Sequence, residues 1–133
     1  MKLITRDTDY AVRALCYMAK RRNKIITVKE LVKSIKIPRP FLRKLLQKLN
    51  KGKIVNSIKG KGGGFKMGRT AGDIFLTDIM RIFQGPVRLS EHVFKKKPCP
   101  RIKTCVLKEK LDDIEKKVIN ELETIAIASL IKK

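Results

Sequence analysis

Residues Thr27 to Phe65 read TVKELVKSIKIPRPFLRKLLQKLNKGKIVNSIKGKGGGF, and their order decides the fold. Thr27 and Glu30 have the spacing of a capping box, in which each side chain satisfies a backbone N–H at a helix start. Val28, Leu31, Val32 and Ile35 then recur at helical spacing and give one apolar face. Pro38 and Pro40 disfavour helix in the residues before them, which places a turn at Ile37 to Pro40. Proline also suits the first turn of the next helix, where its missing N–H is no loss. In that second helix Phe41, Leu42, Leu45, Leu46 and Leu49 form the buried face. Arg39, Arg43, Lys44, Gln47, Lys48 and Lys51 lie on the other faces. Gly52 fits the left-handed position just past a helix end.

A strand over Ile54–Ile58 follows, then Lys59-Gly60-Lys61-Gly62-Gly63-Gly64, then a return strand from Phe65 to Met67. Glycines without a Cβ let this loop turn sharply and approach a surface closely. Two helices, a turn and a basic hairpin make a helix-turn-helix with a wing. The second helix has an apolar back and a basic, amide-bearing front. Such a front suits a DNA groove: Arg and Lys reach phosphates or guanine, and Gln can read adenine. Lys59 and Lys61 in the wing can lie along phosphates or the minor groove. The competing readings are a solvated lysine-rich face and a nucleotide-phosphate loop. The second is weak, because the glycines lack Walker spacing and precede a strand.

The bulk numbers point the same way. The chain has 133 residues, 43% of them hydrophobic, which is one domain with enough apolar material for a core. Its net charge of +21 favours a polyanionic partner through counterion release. A membrane surface or ribosomal RNA would satisfy charge alone equally well. No apolar run approaches membrane-spanning length and no signal peptide is present, so a cytoplasmic protein is expected. There the three cysteines are thiols, ligands or redox groups rather than structural disulfides.

Outside the opening stretch, residues 6–21 read as a helix started by Asp7, Thr8 and Asp9. Ala11, Ala14, Leu15 and Met18 face inward, and Val12, Cys16 and Ala19 widen that face. Arg13 and Arg21 either touch phosphates or are solvated. Thr70 to Asp73 is a loop, and Leu76–Phe83 is a short helix with Leu76, Ile79, Ile82 and Phe83 inward, ended by Gly85-Pro86. Residues 86–104 form a loop of a length that is usually functional. It holds the only histidine, His92, and Cys99, with Cys105 at its end. From Cys105 a long helix carries Leu107, Leu111, Ile114, Val118, Leu122 and Ile125 in a coiled-coil-like seam. A second copy of the chain is the simplest cover for that seam, giving a twofold dimer. The alternative is that the helix packs back on its own domain. Three regions result: 1–85 for DNA binding, 86–104 as a sensor loop, and 105–133 as a dimerisation helix.

The chain resembles the winged-helix bacterial transcription regulators that include the iron–sulfur cluster assembly regulator and the nitric-oxide-sensing repressor. The likeness rests on TDYAVRAL near the start, IPRPFLRKLLQKL, the IKGKGGGF wing, LTDIMRIFQG, and CPRIKTCVLKEKL leading into the last helix. It implies a mostly α winged helix-turn-helix protein with a two-stranded wing and a long C-terminal dimerisation helix. It also implies a homodimer that binds a palindromic operator in double-stranded DNA. Several members carry an iron–sulfur cluster in the loop before the last helix.

This sequence departs from the cluster pattern. Such members have three cysteines in the loop, whereas here Cys99 and Cys105 stand alone with five residues between them. Val93 occupies the position of the earlier cysteine, and His92 beside it is a possible substitute. Asp9 matches a carboxylate ligand of some relatives. The resemblance thus suggests Cys99, Cys105, His92 and Asp9 as ligands of a [2Fe-2S] or [4Fe-4S] cluster. A loop with no cluster, answering to a metabolite, a partner or thiol oxidation, is the equal alternative. In the reading helix, Arg43 and Lys44 stand where the cluster-assembly regulators have acidic and amide readers. Lys59 replaces the usual wing arginine.

The expected function is that of a dimeric, sequence-specific transcriptional regulator. Arg39, Arg43, Lys44, Gln47 and Lys48 would enter the major groove, with Lys59 and Lys61 beside it. A non-specific nucleoid or RNA-binding protein is the alternative of a different class. An enzyme is not expected, since there is no paired acid–base set and no cofactor fingerprint.

Overall fold

Both helices of the opening stretch form in a computed structural model of the chain, which describes residues 3–21, 24–88 and 106–131. Helix α1 spans Arg6–Ala19, α2 Val28–Ile35 and α3 Arg39–Lys51. Strands β1 (Val55–Ile58) and β2 (Gly64–Met67) make the wing, and α4 (Leu76–Gln84), α5 (Val106–Leu122) and α6 (Ile127–Leu130) follow. The result is the expected one: mostly helical, with an antiparallel two-stranded wing.

Helix α1 runs through the core, packed against α2, α3, α4 and α6. Ala11, Ala14, Leu15 and Met18 are buried, as their spacing predicts. The cap lies earlier than expected: it is Thr5, whose side chain accepts from the Thr8 amide. Thr8 is fully buried, so its hydroxyl needs a partner. It finds one in Gln84 at the end of α4, whose Oε1 accepts from Thr8 Oγ1 at 2.7 Å and from the Thr5 amide at 3.0 Å. Gln84 Nε2 in turn donates to the Leu3 carbonyl at 2.8 Å.

Only half of the expected capping box forms at α2. Thr27 accepts from the Glu30 amide at 3.0 Å, but the Glu30 carboxylate accepts instead from the Tyr17 hydroxyl at 2.6 Å. A half-buried phenol on α1 competes for that carboxylate and ties α2 to α1. The turn is also earlier than Ile37–Pro40. Lys36 sits in the left-handed region (φ 54°, ψ 40°) and ends α2, and α3 has begun by Arg39 with Pro40 in its first turn.

Leu42, Leu45, Leu46 and Leu49 are buried as expected, but Phe41 is not; it remains 40% exposed. At about 100° per residue Phe41 falls outside the arc that the four leucines share. Gly52 is not left-handed either: its φ is −81°, and the neighbouring Lys53 takes that conformation at φ 63°. A Cβ at Gly52 would stand 2.8 Å from Ile82 Cδ1 on α4, the end of a partly exposed side chain that can turn aside.

The wing pairs Val55 with Met67 and Ile58 with Gly64. Gly60 (φ 93°) and Gly62 (φ 78°) turn its tip. An unforeseen third edge steadies it. Ile26 and Phe65 exchange two backbone hydrogen bonds of 2.8 Å, joining the wing to the segment that enters α2. Gly64 permits this approach, because a Cβ there would lie 2.5 Å from the Ile26 carbonyl oxygen.

The C-terminal region departs most from expectation. α5 stops at Leu122 instead of running to the end. The chain then pairs with the approach to α4, through Leu76 N–H to the Ile125 carbonyl and Ile127 N–H to the Ile74 carbonyl, both 2.8 Å. α6 packs on α1 and on a single 3-10 turn at Ala71–Asp73, where the sequence predicted only loop. Ile127 is fully buried, an apolar contribution of about 1.5–3 kcal/mol for such a side chain. Leu107 and Ile114 on α5 stay 67% and 49% exposed. On α4 the buried residues are Leu76, Ile79 and Met80, while Ile82 and Phe83 are only partly covered. His92, Cys99 and Cys105 lie outside the described residues.

Candidate nucleic-acid interface

The buried leucines of α3 leave the rest of its circumference to solvent. Arg39, Arg43, Lys44, Gln47, Lys48 and Lys51 are all exposed, with no carboxylate within the helix. Helical periodicity sorts them. Pro40, Lys44, Gln47 and Lys51 form the ridge opposite the leucines. Arg39, Arg43 and Asn50 lie on one flank, and Phe41 and Lys48 on the other.

Asn50 joins the helix to the wing. Its Oδ1 accepts from the Ser57 amide on β1 at 3.1 Å. Lys59 and Lys61, at the tip of that hairpin, are exposed. The expected DNA-contacting side chains therefore all stand on the solvent side of two connected elements. Sequence reasoning passed over Asn50, whose only signal was an amide at the end of a basic helix.

It also passed over the opposite flank. The Arg6 guanidinium lies over the Phe41 ring at 4.7 Å from its centroid, and Lys48 Nζ lies 5.8 Å from the centroid of Phe83. A cleft of about 240 Å³ opens there between α3, α4 and the start of α1. Arg13 and Arg21, by contrast, are engaged by residues of α1: Arg13 Nε donates to Asp9 at 2.9 Å, and Arg21, just past the helix end, covers the Tyr17 ring at 3.6 Å.

Of the four suggested cluster ligands only Asp9 is among the described residues, and its carboxylate is paired with Arg13. No three His, Cys, Asp or Glu side chains converge among the described residues. Cys16 is half-buried on α1, and burial pushes its thiol above the usual range, against a smaller opposing effect of Lys20. It packs against the core from its edge and is only partly covered, where the sequence reading placed it in the apolar face. No helix among the described residues is long and apolar enough to cross a membrane.

The sequence model of one family, described as iron-dependent transcriptional regulators, matches residues 4–133. The chain belongs to the Rrf2 family. A protein of Aquifex aeolicus, by name an HTH-type transcriptional regulator, is 30% identical over 132 residues, covering 97% of this chain and 92% of that one. Two solved structures share the fold. The global cysteine regulator CymR of B. subtilis superposes with a TM-score of 0.77 at 22% identity, covering 98% of this chain and 97% of that one. IscR of T. potens does so with a TM-score of 0.75 at 22% identity, covering 98% and 86%. This Rrf2 protein is thus a DNA-binding transcriptional regulator built on a winged helix.

Proposed function

We propose that this regulator works as a homodimer that reads a palindromic operator. Each α3 enters a major groove with Arg39, Arg43, Lys44, Gln47 and Lys48 toward the DNA, and Lys59 and Lys61 of the wing lie on the adjoining minor groove or phosphates. The observation that carries this reading is the carboxylate-free, exposed face of α3 tethered to the wing through Asn50 and Ser57. Support for the dimer comes from α5, where Leu107 and Ile114 are apolar and solvent-facing. Two reading heads on one duplex require half-sites about one helical turn, ~34–36 Å, or a multiple apart.

Selection of bound duplexes from a random pool tests the proposal. A two-part inverted repeat is the expected result. A protein that uses charge alone would enrich no sequence and would lose affinity steeply with salt.

The signal is read through residues 86–104 with the adjoining Cys105, and through Asp9. Cys99, Cys105 and His92 are donor types that hold iron–sulfur clusters, and Asp9 would be the carboxylate donor once released from Arg13. Such a cluster would supply sensitivity to oxidants or nitric oxide. The Asp9–Arg13 pair favours a second reading, a cluster-free loop that answers to a metabolite, a partner or thiol oxidation. Anaerobic purification and a visible spectrum separate the two. Brown protein that is colourless as the Cys99→Ala variant supports the cluster; colourless, iron-free wild type removes it.

A further inference from the structure

We propose that the cleft beside α3 seats a phosphate of the DNA strand on the side of the groove away from the wing, with Arg6 as the contacting residue and Phe41 as its positioning residue. This rests on the reading of α3 as the groove-entering helix. A helix with its side chains is about 10–12 Å across, and the major groove is about 12 Å wide. Both flanks of α3 then meet a phosphate backbone. The wing serves one flank, through the strand that Asn50 holds.

The other flank carries Phe41, Lys48 and the cleft, whose lining also includes Lys44, Lys51 and Asp7. Arg6 does not line the cleft; it stands beside it on α1, its side chain 60% exposed and its guanidinium 4.7 Å from the ring centroid of Phe41, which does line it, and 6.0 Å from that of Tyr10. An exposed phenyl ring on a DNA-reading helix is otherwise an apolar surface left in water. Stacked beneath a guanidinium it restricts that long side chain while leaving N–H donors free at the edge of the plane. That edge matches the fork by which arginine holds phosphate oxygens. Phosphate contacts of this kind set register and orientation and carry no sequence information.

Asp7 gives the proposal a distinctive sign. Its Oδ1 lies 3.7 Å from Arg6 Nε, and its side chain is 45% exposed on the cleft. If the cleft faces a phosphate, this carboxylate opposes binding. If the cleft faces away from DNA, it is indifferent.

The test uses the full chain with two fluorescent duplexes, the best one from random-pool selection and a mixed-sequence one, across a salt series. Arg6→Ala should weaken binding to both duplexes by roughly fivefold and lower the salt slope by about one. Asp7→Asn should tighten binding to both. Phe41→Leu removes the ring but keeps an apolar side chain and every charge; it should weaken binding to both duplexes, and should add nothing in the Arg6→Ala background. Arg6→Gln, which keeps a long polar side chain, repeats the Arg6 measurement should the alanine variant unfold. Wild-type affinity and slope in Arg6→Ala and Asp7→Asn, with the selected duplex still preferred, would overturn the phosphate seat and leave the reading of α3 standing. A wild type that prefers no duplex would bring down that reading and the seat with it.

Discussion

Asn50 Oδ1 accepts a hydrogen bond of 3.1 Å from the Ser57 backbone amide, so the last turn of α3 holds the first strand of the wing. The bond is exposed, and its loss in Asn50→Ala should cost little, about 0.5 kcal/mol, the low end for a hydrogen bond. DNA affinity should fall more than stability does, because the wing loses its angle to α3. Chemical denaturation and duplex titration of the same variant check the pair of outcomes.

Two adjacent glycines should behave differently. An alanine at Gly63 would put its Cβ on the Ile58 carbonyl inside the hairpin turn. Gly63→Ala should therefore disturb the wing tip and DNA affinity and leave the melting temperature nearly unchanged. At Gly64 the Cβ would meet the Ile26 carbonyl at 2.5 Å, where the wing joins the body. Gly64→Ala should lower both affinity and melting temperature.

Leucines at two sites separate folding from assembly. Leu46 is fully buried under α3, and Leu46→Ala should cost about 2–5 kcal/mol in a denaturant titration. Leu107 is 67% exposed on α5. In the proposed dimer, Leu107→Glu should leave the far-ultraviolet spectrum unchanged and shift sedimentation toward monomer. Unaltered sedimentation would argue that another surface joins the subunits.

Gln84 makes three hydrogen bonds to the start of the chain, one of them to the fully buried Thr8 hydroxyl. Gln84→Ala removes the 2.7 Å acceptor and leaves the Thr8 hydroxyl only the Thr5 hydroxyl, 3.1 Å away, a loss of about 0.5–1.5 kcal/mol for that bond. Thr8→Ala in the same background should recover part of it, which a double-mutant cycle will show.

Burial raises the Cys16 thiol, so the folded chain holds this proton more tightly than the unfolded one. The linked stability is fully present below the ordinary thiol pKa of about 8.5 and is lost as pH rises past it. Denaturation midpoints should decline above that pH, and Cys16→Ala should lessen the decline.

Elements with a strong local pattern were legible before any coordinates. The leucine arc of α3, a proline in its first turn and the basic glycine hairpin each specify themselves through neighbours in the chain. Where a side chain has a choice of partner, the pattern was insufficient. Glu30 is spaced for a capping box yet binds Tyr17, because the phenol comes from another helix. Phe41 looks like a core residue yet stands exposed beneath Arg6.

By itself, then, the sequence determined the order of helices, turn and wing, and the concentration of cations on one face of α3, since periodicity and backbone restriction act over a few residues. Tertiary structure alone decided that the chain after Leu122 folds back, that Ile127 closes the core, and that Arg6 lies over Phe41. Those outcomes depend on which distant surfaces meet, and a seam of leucines reads the same whether its cover comes from the same chain or another.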